Sequence, residues 1–115
     1  MRDFKNPHVW ERSHKLTLST YRATGGFPKE EMYGLTSQKR RAAASVPANI
    51  AEGYSRGGDA ELARFLRIAV GSAGELEYHL LLAHDLGFLE TSLYQQLQRE
   101  TVELKLMLVT FVKKL

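Results

Sequence analysis

Glu11-x-x-His14 is the first pair in the chain whose spacing matches known chemistry. A glutamate and a histidine three apart on a helix supply part of a di-iron bundle site. Such a site also needs a second Glu-x-x-His and two glutamates from facing helices. The positions three before His8, His79 and His84 hold Lys5, Leu76 and Leu81, so the second copy is missing. His79 and His84 are five apart and do not converge on one metal from one helix. Glu75 and His79, four apart, suit an ordinary helix pair. No serine lies in a nucleophile-elbow or Ser-x-x-Lys setting. Gly57-Gly58 precedes a helix, where a phosphate could sit, but Asp59 puts a negative charge at that terminus and the spacing fits no phosphate loop. These readings predict no catalytic residues, no metal and no cofactor.

Charge offers a different chemistry. Lys39-Arg40-Arg41 is the densest positive run, and Arg56, Arg64 and Arg67 follow on the next turn and helix. These six form a candidate phosphate-binding set. Three consecutive helical residues fan over about 200°, so the run cannot all touch one surface. Lys39 falls at the margin of the apolar stripe and could lay its stem over apolar surface. A solvated face, or ion pairs between subunits, would use the same residues. No aromatic-interleaved stacking motif or recognition helix accompanies them. The net charge of +3 is small, but residues 1–58 carry ten Lys/Arg against five Asp/Glu, and residues 59–115 six against eight. That asymmetry suggests a basic face.

Helices must position these groups. Apolar residues recur at helical spacing from about Pro7 to Thr24, through Val9, Trp10, Leu16 and Tyr21. "TGGFP" stops that helix, and "FPKEEMYG" reads as a connector with room for a helical turn. A second helix starts near Leu35 to Ser37, with Thr36 or Ser37 as cap, and ends before Gly57-Gly58. The third opens with Asp59 as cap, runs through Leu62, Leu66, Ala69, Ala73, Leu76, Leu80 and Ala83, and stops at Gly87 as a left-handed residue. The fourth begins around Glu90 or Thr91 and lines up Leu93, Leu97, Thr101, Leu104, Leu108, Phe111 and Leu115. Nothing reads as a strand. The predicted fold is all-α, an antiparallel up-down four-helix bundle in a single domain over residues 1–115.

Three helices carry apolar residues on a second face: Ala44, Ala48 and Ala51 on the second, Ile68, Gly71, Gly74, Tyr78 and Leu82 on the third, Val102, Leu106 and Val109 on the fourth. A helix apolar on both sides is buried on both sides, and each helix of a lone bundle has one wet face. The pattern predicts a homo-oligomer, a closed ring or dimer, with these residues in its contacts.

The chain contains no cysteine, which removes disulfides and thiolate metal sites and fits a reducing compartment. No apolar run approaches a signal peptide or a membrane span. A cytoplasmic protein with no membrane partner is expected.

Pro47 sits inside the second helix, where it removes a hydrogen bond to the Ala43 carbonyl and bends the rod. Asn49 lies beside the core stripe and Glu52 at its flank; both are expected to be structural, hydrogen-bonded across to neighbouring helices. The stretches around them, "GLTSQKRRAAASVPANIAEGYSR" and "ELARFLRIAVGSAGELEYHL", together with "VW", "FPKEE" and "LGFL", resemble the 23S rRNA intervening sequence proteins. Gln38, Arg41, Pro47, Asn49, Glu52, Gly53, Arg56, Phe65, Gly71, Ser72 and Glu75 are among the matching positions. Thr17 departs from the pattern, which favours a larger apolar residue there. The resemblance implies an antiparallel four-helix bundle forming five-fold rings. A related branch, the accessory variability proteins of diversity-generating retroelements, implies basic barrels that engage a reverse transcriptase and nucleic acid. Fold similarity alone does not transfer function. The leading expectation is a non-enzymatic homo-oligomer, a pentamer, binding RNA or DNA through a basic surface. The alternative is a protein-interaction scaffold with no direct nucleic-acid binding.

Overall fold

The computed structural model describes residues 8–115 and contains four long helices: α1 (His8–Thr24), α2 (Ser37–Ser55), α3 (Asp59–Asp85) and α4 (Thr91–Lys113). The expected start of α1 at Pro7 lies outside the described residues. Each helix packs on the next and α4 closes against α1, while the diagonal backbones stay further apart and meet through side chains such as Tyr54 and Phe111. With short turns between them, this order makes an antiparallel up-down bundle. Its long dimension of 43 Å is close to that of α3, whose 27 residues span about 40 Å at 1.5 Å each.

The heptad-like row on α3 is the spine of the core. Leu62, Leu66, Ala69, Ala73, Leu76, Leu80 and Ala83 are all essentially water-free, and Leu97, Thr101, Leu104 and Leu108 of α4 meet them. Fully burying each leucine contributes roughly 1.5–3 kcal/mol, so this row dominates the stability. Gly53 lets α2 lie close on α3: a methyl group there would come within 3.0 Å of Leu62 Cδ1 and Phe65 Cβ. α3 ends as its sequence requires. Gly87 adopts φ +81°, the Phe88 amide donates to the Ala83 carbonyl at 2.9 Å, and the Gly87 amide donates to that of His84 at 3.0 Å.

Three local expectations are corrected. Gly58, in extended conformation, is the cap of α3, and Asp59 is its first helical residue. α2 has no cap at Thr36 or Ser37, because a 3₁₀ turn (Lys29–Glu31) and a wide turn (Met32–Thr36) run directly into it. The chain leaves helical geometry at Gly34, and the Glu31 carboxylate accepts a hydrogen bond from the Leu35 amide at 3.4 Å. Tyr21 is not core: it is 44% exposed, and the buried face of α1 is instead Val9, Leu16 and a hydroxyl seam of Ser13, Thr17, Thr20 and Thr24.

That seam explains the departure at position 17. Pro47 leaves the Ala43 carbonyl without its helical partner. The Thr17 hydroxyl, shared with the Ser13 carbonyl at 2.8 Å, donates to Ala43 O at 3.0 Å from the neighbouring helix. A larger apolar side chain would fill the space and leave the carbonyl dry and unpaired. The threonine and the proline are one device.

Candidate nucleic-acid interface

The six basic residues do not form one patch. α2 places Arg41 and Arg56 fifteen residues apart, which separates them by about 22 Å along the bundle. One group, Arg40 and Arg41, sits where α2 begins; Arg56 and Arg64 flank the α2–α3 turn, and Arg67 stands about 12 Å further along α3 beside Val70 and Val109.

Lys39 belongs to neither. It is 1% exposed and donates to the His79 carbonyl, with its ammonium 5.6 Å from the centre of the Phe27 ring. Burial without a carboxylate beside it pushes its pKa down to about 7. Burial, and then Lys39 itself, also hold the half-buried His79 below the ordinary histidine value. Its place in the phosphate-binding set is therefore withdrawn: no phosphate reaches a side chain inside the bundle. At one-residue resolution, its position at the stripe margin did not distinguish a stem lying over the core from one entering it.

The remaining five reach the surface. Arg40 stacks on Tyr21 at 4.9 Å and donates from Nε to Thr24 Oγ1 at 2.8 Å, which fixes its guanidinium against α1. Arg56 and Arg64 both lie over the Phe65 ring, at 5.1 and 4.5 Å. Their charges are locally matched: Arg56 pairs with Glu52 at 2.8 Å and Arg64 with Glu61 at 2.7 Å. Arg41 and Arg67 are exposed and make no ion pair among the described residues. Arg40 likewise meets no carboxylate, and Arg22, Lys29, Arg99, Lys113 and Lys114 are also outside any ion pair among the described residues. The turn before α2 adds two further side chains to the Arg40–Arg41 end. It brings Met32 and Tyr33 to the same cleft as Tyr21, Arg40 and Arg41. No linear motif announces that grouping, because it depends on the backbone departure at Gly34.

The two polar residues of α2 separate. Asn49 Nδ2 donates to the Ser45 carbonyl at 2.8 Å and to Ser45 Oγ at 2.9 Å, and Ser45 Oγ meets Ser72 Oγ of α3 at 2.8 Å. Asn49 thus reaches α3 through one hydroxyl. Glu52 does not cross to another helix: it is exposed and engages Arg56 one turn on, because its position faces outward from the α2–α3 seam.

The second faces are mostly wet within one chain. Ile68, Tyr78 and Leu106 are 41%, 58% and 60% exposed, Ala48 and Gly71 are exposed, and Ala44, Gly74, Val102 and Val109 are half-buried. A Cβ built on Gly71 or Gly74 would meet nothing within 4 Å, so both leave open flat backbone. Leu82 differs: it packs partly against the core.

Glu11 is paired with Lys15 at 2.9 Å, and His14 stacks on Trp10 at 5.1 Å, two surface arrangements one turn apart. Among the described residues, no three His, Asp or Glu side chains stand close enough to hold a metal ion. No helix is long and apolar enough to cross a membrane.

The class defined by this geometry is a four-helix bundle with apolar outer faces and split basic ends. The 23S rRNA-intervening sequence protein family model matches residues 5–110, and the chain belongs to that family. A crystal structure of a protein of unknown function from the S23 ribosomal protein family of Bacteroides thetaiotaomicron has the same fold, with a TM-score of 0.82 at 22% identity. The alignment covers 91% of this chain and 98% of that one. No curated protein matches the chain.

Proposed function

We propose that this protein is a non-enzymatic, self-assembling helical bundle of the cytoplasm that holds RNA or DNA by its phosphates. The observation that carries the reading is the pairing of two surplus features on one small chain. Large apolar side chains stand in water on α3 and α4, and Arg40, Arg41 and Arg67 make no ion pair among the described residues. Apolar outer faces favour closing against copies of the same chain, and the family resemblance favours a ring of five. Assembly repeats each basic residue around the ring, so individually weak phosphate contacts add by avidity. Arg56 and Arg64, each paired with a glutamate, would reinforce these three arginines.

Light scattering coupled to size exclusion tests the assembly. The expected mass is several times 13.0 kDa, and Leu106→Glu or Tyr78→Glu should reduce it without unfolding the chain, since both side chains are largely exposed. A monomer at micromolar concentration in the unaltered protein contradicts this part.

The scaffold reading is the alternative, with a reverse transcriptase or another protein as the bound partner. It is favoured by the ion pairs of Arg56 and Arg64, which cancel much of the charge at the α2–α3 turn. On that reading the arginines satisfy protein contacts only.

A further inference from the structure

Large side chains left in water at a kink call for an explanation. Tyr33 is 95% exposed and Met32 48% exposed, on the turn that departs from helical geometry at Gly34. They stand at the rim of a cleft of about 400 Å³ shared with Tyr21, Ser37, Arg40 and Arg41. None of its lining residues is acidic. The nearby Glu31 carboxylate accepts one hydrogen bond, from the Leu35 amide at 3.4 Å, and lies outside the cleft lining. Arg40 is held in place by Thr24 and by the Tyr21 ring, while Arg41 is exposed with no ion pair among the described residues.

We infer that this cleft binds single-stranded nucleic acid, with an unpaired base stacked on Tyr33 and the adjacent phosphate on Arg41 and Arg40. The inference rests on the nucleic-acid reading above and gives it a place and a strand type. A free aromatic face can stack on a base only where the base is not already stacked on both sides, which selects single strands over duplexes. Guanidinium groups lining the same cleft supply the charge that an isolated aromatic lacks, and Arg is the side chain suited to phosphate. The volume accommodates one nucleotide-sized group. A protein segment would also favour tyrosine, methionine and arginine, but two cations in a cleft without a carboxylate favour an anionic occupant.

The test compares a labelled ten-nucleotide oligouridylate with a mixed-sequence RNA duplex, at about 50 mM salt, on the assembled protein. Because Tyr33 is almost wholly in solvent, its replacement leaves the core intact. Tyr33→Ala should weaken single-strand binding about tenfold or more and leave duplex binding within about twofold, while Tyr33→Phe keeps the unaltered affinity. Equal losses on both probes, no loss on the single strand, or a Tyr33→Phe variant as weak as Tyr33→Ala would overturn the inference. A change of oligomeric mass in Tyr33→Ala would overturn it as well, by making the cleft a contact between proteins. If the unaltered protein binds neither probe, the broader nucleic-acid reading fails with it. If the protein binds RNA but is indifferent to Tyr33, the cleft alone is wrong.

Discussion

Thr17→Val should lower the unfolding free energy by about 1–3 kcal/mol, the cost of leaving a buried acceptor unpaired. Valine matches threonine in shape, so the loss reports the hydroxyl. The acceptor is Ala43 O, which Pro47 deprives of its helical donor and which Thr17 reaches at 3.0 Å. The second acceptor, Ser13 O, lies within α1 and keeps its place in the backbone ladder. A double-mutant cycle isolates the device. In a Pro47→Ala background an amide hydrogen returns to the Ala43 carbonyl, so the same Thr17→Val change should cost less. The expected coupling is about 0.5–3 kcal/mol by urea denaturation. Equal costs in both backgrounds would show that the threonine serves packing alone.

Lys39→Met should stabilise the protein and remove a pH dependence. In the native bundle burial pushes the amine down to about 7, against an ordinary value of 10.5. Between those values the unfolded chain binds more protons than the folded one, so stability should rise as pH increases through that window. The slope is at most about 1.4 kcal/mol per pH unit. Below pH 7 both states are protonated and the burial penalty stays at full size. His79, held low by burial, adds a rise of the same sign just below its ordinary value. Thermal or urea unfolding at pH 6, 7, 8 and 9 should show the climb in the unaltered chain and a flatter profile in Lys39→Met. The variant should also gain about 1 kcal/mol or more at pH 6, where the amine is charged in both states. A parallel pair of profiles would mean that the ammonium is well solvated or paired in solution.

How much of this was legible depends on the kind of residue. α3 could be read almost entirely from its sequence, because seven apolar positions at three-and-four spacing leave one way to bury them, and Gly87 can end a helix where other residues strain. The start of α2 could not. Thr36 and Ser37 have the right side chains for a cap, whereas the chain is carried in by a wide turn whose geometry turns on Gly34. Lys39 shows a second limit. Periodicity places a Cα on a face to within a fraction of a turn, and a four-carbon stem can enter the core or leave it from the same place. Thr17 shows a third: its reason lies in Pro47, thirty residues away, and appears only when α1 and α2 are packed. For the candidate interface, the charged residues were visible, but their division between two ends was not, nor was the company of Tyr21 and Tyr33.

A salt titration of binding, measured by fluorescence anisotropy with labelled RNA and with duplex DNA, tests phosphate binding most directly. Binding is expected at about 50 mM salt. Its logarithmic affinity should fall linearly with the logarithm of salt, by roughly 0.7–0.9 for each phosphate neutralised. Arg41→Ala with Arg67→Ala should lower both affinity and slope while the oligomeric mass is unchanged, since both side chains are exposed and unpaired among the described residues. An assembled protein that binds neither RNA nor duplex DNA at about 50 mM salt would contradict the account and leave the bundle as a protein scaffold.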